Sequence, residues 1–292
     1  LEKFSMEIPV VEVGPYTLQA PITRQKLQVT IGAAFDRKNQ LEQLEDPEYK
    51  QRIQKGKSVT TGDRFSFWIS KRYLLILNLF MLFYVGLPFL APTLMKLNAD
   101  LPAQVIYRMY KPLCHQFGFR SFFLYGEQLY YPLAEARLQG VKTFEEATGI
   151  ANLSDPYSFT RFEARNYIGD DAVGYKVALC ERDIAIYLAI LGFGIVFGLT
   201  GRRFKSLHWM LWLLIGIAPI GLDGFSQLFS QFNWEWLAAL VPYRESTPFL
   251  RAFTGALFGL ATAWCAYPNI EESMSETRQY YVKKFAVNQA SE

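Results

Sequence analysis

Four long apolar runs alternate with polar segments along this chain. Residues 1–72 and 269–292 are polar and charged, and the apolar runs between them are Tyr73–Met95, Ile184–Gly201, Leu207–Leu222 and Phe249–Tyr267. The first run holds no charged residue and exceeds the roughly 20 residues that cross the hydrocarbon core of a bilayer. The pattern predicts an all-α fold: a polytopic membrane bundle of about four transmembrane helices over residues 73–268, flanked by a cytoplasmic N-terminal arm and a cytoplasmic tail.

The segment 96–183, between the first two apolar runs, is predicted as a long extracytoplasmic loop. Its part Val141–Ala172 is predicted to form one or two short helices, because Thr143 is followed at the third position by Glu146, as in a helix capping box. After the third run, Phe229–Tyr243 is aromatic and amphipathic, which predicts a re-entrant or interfacial segment.

The N-terminal arm is predicted to be peripheral. Extended stretches are predicted over Glu7–Val13 and Leu27–Ile31, and a helix interrupted at Pro47 is predicted over Asn39–Lys55. The arm has too few apolar residues for a hydrophobic core of its own.

Basic residues near the apolar runs predict the orientation. Arg202, Arg203 and Lys205 lie in the short loop between the second and third runs, and lysine and arginine in short loops favour the cytoplasmic side. Lys71 and Arg72, before the first run, agree with this placement. We therefore expect a multi-pass protein of the cell membrane with both termini in the cytoplasm.

Glycines in the second run have two interpretations. Gly194, Gly198 and Gly201 lie near one face of the predicted helix, where small residues let a partner helix approach closely. The alternative is that glycine is simply frequent in membrane helices.

Composition limits the partners. The formal net charge of +3 is too small and too dispersed for nucleic-acid binding. The lipid bilayer is the expected partner, and a homo-oligomer or a larger membrane complex are open alternatives. With only three cysteines and two histidines in the chain, the adjacency of Cys114 and His115 is informative.

Unusual polar residues from separate segments fall at the same end of the predicted bundle. Ionisable residues at membrane depth usually face the bundle interior or a functional cavity, so this coincidence predicts a polar site on the extracytoplasmic face. The residues are Cys114, His115, Arg120, Cys180, Arg182, Asp183, Asp223, Gln227, Arg251 and Thr254.

Four of these residues form a candidate metal site. Cys114, His115, Cys180 and Asp183 offer two thiolates, an imidazole and a carboxylate, which zinc and iron both accept. Cys180 and Asp183 are one helical turn apart and can face the same ion. The alternative is a Cys114–Cys180 disulfide on an oxidising side of the membrane. Spacing alone leaves both interpretations open.

Asp223, Arg182 and Arg251 are the candidate catalytic residues. For Asp223 and Arg251 an alternative role is a buried ion pair that fixes the third membrane helix against the fourth. The sequence holds no GxxxxGK[ST] loop, no dinucleotide glycine fingerprint, no HExxH and no GxSxG motif.

Several motifs in order resemble the prokaryotic membrane protein family catalogued as domain of unknown function 2085. They are Cys114-His115-Gln116, residues 120–124 and 174–183, Pro219 with Asp223-Gly224, and Arg251 with Thr254-Gly255. The resemblance covers Ile106 to Tyr267 and implies architecture and the location of a site, not an activity. In that family the second motif often reads Cys-x-Arg-Cys, whereas this chain has Asp183 in the last position; the exchange keeps an anionic ligand and excludes a dithiol within this motif.

Three functional hypotheses follow. The first is a metal-dependent membrane enzyme, in which metal-activated water acts on a lipid-like or membrane-proximal substrate. The second is a non-enzymatic scaffold or accessory subunit of a membrane complex, stabilised by a disulfide or ion pairs. The third is a small transporter or channel component.

Overall fold

The computed structural model describes residues 10–43, 58–153, 155, 158–231 and 243–289. These described residues are mostly helical, with 67% in helices. Four helices in the described part of the chain are long and apolar enough to cross a membrane, which confirms the predicted number of spans. We label them α2 (Thr61–Lys96), α6 (Glu181–Leu199), α7 (Trp209–Ser230) and α8 (Pro248–Gln289).

Close contacts at glycines pack α6 against its neighbours. A Cβ added at Gly194 of α6 would lie 2.1 Å from Asn78 Oδ1 of α2, and one at Gly259 of α8 would lie 2.2 Å from Ile186 O of α6. Only glycine permits these approaches without a shift of the neighbouring atoms, so small residues set the helix spacing here. Gly194 thus agrees with the first interpretation of the sequence, whereas the contact of Gly259 was not predicted.

Helix α7 also packs on α8, although its hydrogen bonding changes along its length. It is π-helical over Trp212–Ile217 and α-helical over Ala218–Ser230. Trp212 Nε1 donates a hydrogen bond of 3.0 Å to Thr262 Oγ1 of α8. The bond gives a polar group in this apolar helix a partner within the protein.

A folded α/β region, residues 97–180, connects α2 to α6. Its central strand β5 (Gly174–Cys180) pairs antiparallel with both β3 (Ser121–Leu124) and β4 (Gly169–Asp170). Aromatic and aliphatic side chains such as Phe119, Phe144 and Leu153 are buried in its core. The helices of this region are α3 (Asp100–Tyr110), α4 (Phe144–Thr148) and α5 (Thr160–Asn166).

The α/β region corrects the prediction of an all-α fold with a long loop over 96–183. One or two short helices were predicted within Val141–Ala172, and the structure has two, α4 and α5; Thr143 and Glu146 form the predicted capping box. The three-stranded sheet was not predicted, because β3 and β5 are far apart in the sequence and the mostly buried β5 lacks an alternating pattern. The side of the membrane on which this region lies stays a prediction.

The chain divides into two compact units, one of residues 68–277 and one of residues 1–67 with 278–292. In the smaller unit, β1 (Val10–Val13) and β2 (Tyr16–Gln19) form an antiparallel hairpin that contacts α1 (Arg24–Gln43). Also in this unit, Lys284 Nζ pairs with Asp63 Oδ2 at 2.8 Å.

Helix α1 corrects one prediction for the N-terminal arm, because Leu27–Ile31 is helical and not extended. The extended stretch is confirmed at Val10–Val13. Residues 1–9, most of the helix predicted over Asn39–Lys55, and residues 232–242 of the predicted re-entrant segment lie outside the described residues. Domain boundaries at 72 and 268 stay predictions.

Candidate functional site

The predicted polar residues meet at one end of the long helices. The start of α6, the end of α7, the start of α8 and residues 114–120 of the α/β region contribute to it. There they surround a cavity of about 260 Å³. Its lining includes Cys114, His115, Arg120, Cys180, Arg182, Asp183, Gln227 and Arg251.

Two thiols and a carboxylate lie together in this cavity. Cys114 Sγ, Cys180 Sγ and a carboxylate oxygen of Asp183 all lie within 4.8 Å of one another. Cys180 ends β5 and Asp183 lies in the first turn of α6, so the strand-to-helix junction places both side chains on the same side. Three of the four predicted metal ligands are therefore brought together.

Gln116 fixes the turn that carries Cys114. Its backbone has a positive φ of 54°, which is uncommon for a residue other than glycine. Its buried side chain donates from Nε2 to Tyr107 O at 3.0 Å and to Ala178 O at 2.8 Å, which ties the turn to both α3 and β5. Its backbone N–H donates to Cys114 Sγ at 3.5 Å. These bonds hold the first thiol beside the strand that carries the second.

The two thiols lie against each other, and their pKa values shift in opposite directions. The contact with the Cys180 thiol lowers the pKa of Cys114, although burial opposes this shift. The same contact and burial raise the pKa of Cys180 well above its ordinary value. Both cysteines are free thiols in this structure, as is Cys265.

His115 lies outside the cluster of ligand atoms. Its side chain is exposed, and its ring stacks on Phe117 with the ring centroids 5.7 Å apart. Although His115 and Cys114 are adjacent in the sequence, their side chains point in different directions at this turn. His115 does line the same cavity as the two thiols and Asp183.

Asp223 lies at the centre of the first of two buried charge clusters. Its Oδ2 accepts a hydrogen bond of 2.5 Å from Arg182 Nη2, and its Oδ1 accepts one of 2.8 Å from Arg244 Nη2. Ser246 Oγ donates to the same carboxylate, at 2.9 Å from Oδ1 and 2.8 Å from Oδ2. The carboxylate joins the start of α6, the end of α7 and the segment before α8.

Arg251 lies at the centre of the second cluster. Its Nη1 lies 3.2 Å from Glu181 Oε2, and its Nη2 is paired with Glu245 Oε1. Glu245 is also held by Arg120, at 2.8 Å and 3.0 Å, and by Gln227 Nε2 at 2.7 Å. Glu181, Glu245 and Arg251 are all at least 96% buried.

The predicted ion pair between Asp223 and Arg251 is therefore wrong. Arg182 and Arg244 neutralise Asp223, while Glu181 and Glu245 neutralise Arg251. Glu181, Glu245 and Arg244 were not among the residues predicted for the site. A signal was present for Glu181, since an acidic residue three positions before an apolar run is costly at membrane depth unless it is paired.

One comparison with known proteins gave a match, and it concerns part of this site. The searches against curated proteins and against solved structures found no match. The match over residues 172–265 includes Cys180, Asp183, Asp223 and Arg251, but not Cys114 or His115. Over residues 172–265 the chain matches the model of the family described as Predicted membrane protein (DUF2085), which confirms over these residues the resemblance seen in the sequence; the motifs at 114–116 and 120–124 lie outside the match.

Proposed function

We propose that the protein binds a transition-metal ion through Cys114, Cys180 and Asp183. The observation that carries the proposal is the approach of their ligand atoms to within 4.8 Å of one another. Zn²⁺ binds thiolate sulfur at about 2.3 Å and carboxylate oxygen at about 2.0–2.2 Å, so a group of this size fits one ion. Two thiolates and one carboxylate suit Zn²⁺ or Fe²⁺ better than Mg²⁺ or Ca²⁺.

A site with three protein ligands leaves one coordination position for water or substrate. Catalytic zinc sites have three protein ligands and one open position, whereas structural zinc sites are closed by four protein ligands. The cavity of about 260 Å³ beside the cluster provides room for a small group. His115 is not required as a ligand, because its ring lies against Phe117.

The chemistry that suits this site is attack by metal-activated water on a membrane-proximal substrate. A bound metal ion lowers the pKa of its water towards neutrality and polarises a carbonyl or phosphoryl oxygen. Arg182 lines the cavity, and its buried Nε has no hydrogen-bond partner in the described part of the chain. That donor is available to a developing negative charge on the substrate.

We place this site on the extracytoplasmic face, with both termini in the cytoplasm. The basis is the short loop with Arg202, Arg203 and Lys205, which lies at the opposite ends of α6 and α7 from the cysteine cluster. The cell membrane is the proposed location.

Metal content and thiol state together test the proposal. The full chain is purified in mild detergent without air, washed with a weak chelator, and analysed for zinc and iron. Cys114→Ser, Cys180→Ser and Asp183→Asn should each lose the metal. Cys265→Ser is the matched control, because this third cysteine lies outside the cluster, and it should retain the metal. His115→Ala should also retain it.

The competing disulfide gives a different pattern. Metal-free protein, with Cys114 and Cys180 joined in a peptide that shifts in mass after reduction and alkylation, would overturn the metal proposal. Asp183→Asn would then leave the bond unchanged, since a disulfide does not involve the carboxylate. That result would favour a structural role as a scaffold or accessory subunit.

A further inference from the structure

A second cavity, of about 160 Å³, lies in the α/β region and is lined by cations. Arg108 and Lys111 reach it from α3 and its C-terminal end, Arg165 from α5, and Lys176 from β5. No carboxylate of the described residues lines it; its other polar side chains include Gln104 and Asn166. A group of cations around one cavity without acidic partners among the described residues is a site for an anion.

Lys176 is the buried cation of this cavity. It is only 1% exposed, and its Nζ donates to the backbone oxygens of Gln116 at 2.9 Å and Arg165 at 2.6 Å. An ammonium group has three donors, so one remains after these bonds. Burial, with a smaller contribution from Lys111, lowers the pKa of Lys176 to about 7. A bound anion would offset both the cost of burying the ammonium group and the repulsion from Lys111.

Two arginines of the cavity also have unused donors. The Nε of Arg165 is buried and has no hydrogen-bond partner among the described residues, although its Nη2 donates to Lys111 O at 3.2 Å. Arg108 is exposed, and no ion pair involves it in the described part of the chain. Guanidinium groups bind phosphate oxygens through paired donors, so these groups suit a phosphate better than a simple halide.

An exposed apolar stripe runs along α3 beside the cavity. Leu101, Val105 and Met109 are 80%, 63% and 50% exposed and recur at intervals of four residues, on the face next to Arg108. Only residues 97–99 separate α3 from the end of the membrane helix α2. A helix with an apolar face and flanking cations, starting where a membrane helix ends, is suited to lie in the bilayer interface.

We propose that this cavity binds the phosphate head group of an anionic glycerophospholipid, whose acyl chains lie along Leu101, Val105 and Met109. The cations neutralise the phosphate, and the stripe provides the apolar contact that free phosphate cannot use. Basic pockets between membrane helices hold anionic lipid head groups on the cytoplasmic side of membranes, and the same pairing of charges is possible on either face of a bilayer. The site shares Gln116 with the cavity of the proposed metal cluster but includes none of the proposed metal ligands, and the lipid proposal does not depend on a bound metal.

Binding of three soluble probes to the full chain in nonionic detergent tests the proposal. The probes are dioctanoyl phosphatidylglycerol, dioctanoyl phosphatidylcholine and inorganic phosphate, and affinity is measured by native mass spectrometry and by change in thermal midpoint. Phosphatidylglycerol should bind at least about tenfold more tightly than either other probe, a difference of about 1.4 kcal/mol.

Variants separate the contributions of head group and chain. Arg108→Gln with Lys111→Gln should weaken phosphatidylglycerol binding at least about tenfold, or about 1.4 kcal/mol. The control, Lys96→Gln with Lys142→Gln, removes the same charge from exposed sites outside the cavity and should leave the affinity unchanged. Leu101→Ser with Val105→Ser should weaken lipid binding but not phosphate binding.

Three results would overturn the proposal. Equal affinity for phosphatidylglycerol and phosphatidylcholine would exclude recognition of the net charge. Inorganic phosphate binding as tightly as the lipid would show a free-anion site. An equal loss in the control double variant would show that only overall charge matters.

Discussion

Breaking the buried cluster around Arg251 should destabilise the protein more than any surface charge change. Arg251→Met removes a guanidinium that is 3% exposed and leaves Glu181, 1% exposed, without another ion-pair partner in the described part of the chain. Glu245 is less affected, because Arg120 and Gln227 still contact it. The dominant effect is therefore one unpaired buried carboxylate.

The expected size of this effect follows from the burial. Stranding one partner of a buried ion pair costs about 3–5 kcal/mol. For a chain of this size, about 1 kcal/mol lowers the thermal midpoint by roughly 2–4 °C, so Arg251→Met should lower it by on the order of 10 °C. Glu181→Gln alone should cost less, because Arg251 keeps Glu245 as a partner.

Thermal unfolding of the variants in one detergent, followed by intrinsic fluorescence and circular dichroism, measures the coupling. Adding Glu181→Gln to Arg251→Met should restore at least about 2 kcal/mol, because the stranded charge is removed. The control pairs Arg251→Met with Arg202→Met, whose partner Glu271 lies in a separate ion pair, and its losses should add. Losses at Glu181 and Arg251 that add to within about 0.5 kcal/mol would refute the cluster.

Three further predictions concern packing, protonation and orientation. Gly259→Ala should lower the thermal midpoint by several degrees, since its Cβ would meet Ile186 O at 2.2 Å, whereas Gly192→Ala, where the structure leaves space, should not. The free energy of unfolding should rise between about pH 7 and pH 9, because burial, together with Lys111 and Arg165 and against the opposing effect of Cys114, lowers the pKa of Lys176 to about 7, so that the unfolded chain binds more protons in this range. A Lys176→Met variant that keeps this rise would exclude Lys176 as its cause. On a cysteine-free background, single cysteines at 140–150 should react with an impermeant reagent from outside and those at 202–206 should not; the reverse labelling would invert the proposed topology.

The membrane helices were predictable from sequence because lipid imposes a local rule. A run such as Tyr73–Met95 must satisfy its backbone within the helix, so its apolar composition alone predicts the element. The ends of the helices were less predictable. Helix α2 begins at Thr61, before its apolar run, and α8 continues to Gln289, beyond its apolar run. Hydropathy carries no signal for a helix in these polar segments.

The partners of charged residues were much less predictable. Asp223 and Arg251 were correctly placed at the same end of the bundle, but their pairing was wrong because residues 243–247 bring Arg244 and Glu245 between them. The sheet was missed for a related reason: Lys176 interrupts the apolar pattern of β5, and its burial is explained only by the backbone oxygens of Gln116 and Arg165. Contacts between distant segments decided both cases.

The central claim, a metal ion held by Cys114, Cys180 and Asp183, is tested most directly by cobalt substitution. Co²⁺ added to metal-stripped, reduced protein should give thiolate-to-cobalt charge-transfer absorption and the visible bands of a four-coordinate site. We expect Asp183→Asn to weaken Co²⁺ binding, Cys114→Ser or Cys180→Ser to abolish the charge-transfer band, and Cys265→Ser to leave the spectrum unchanged. A protein with reduced thiols that gives no charge-transfer band, or a band unaffected by the loss of Cys114 and Cys180, would contradict the account.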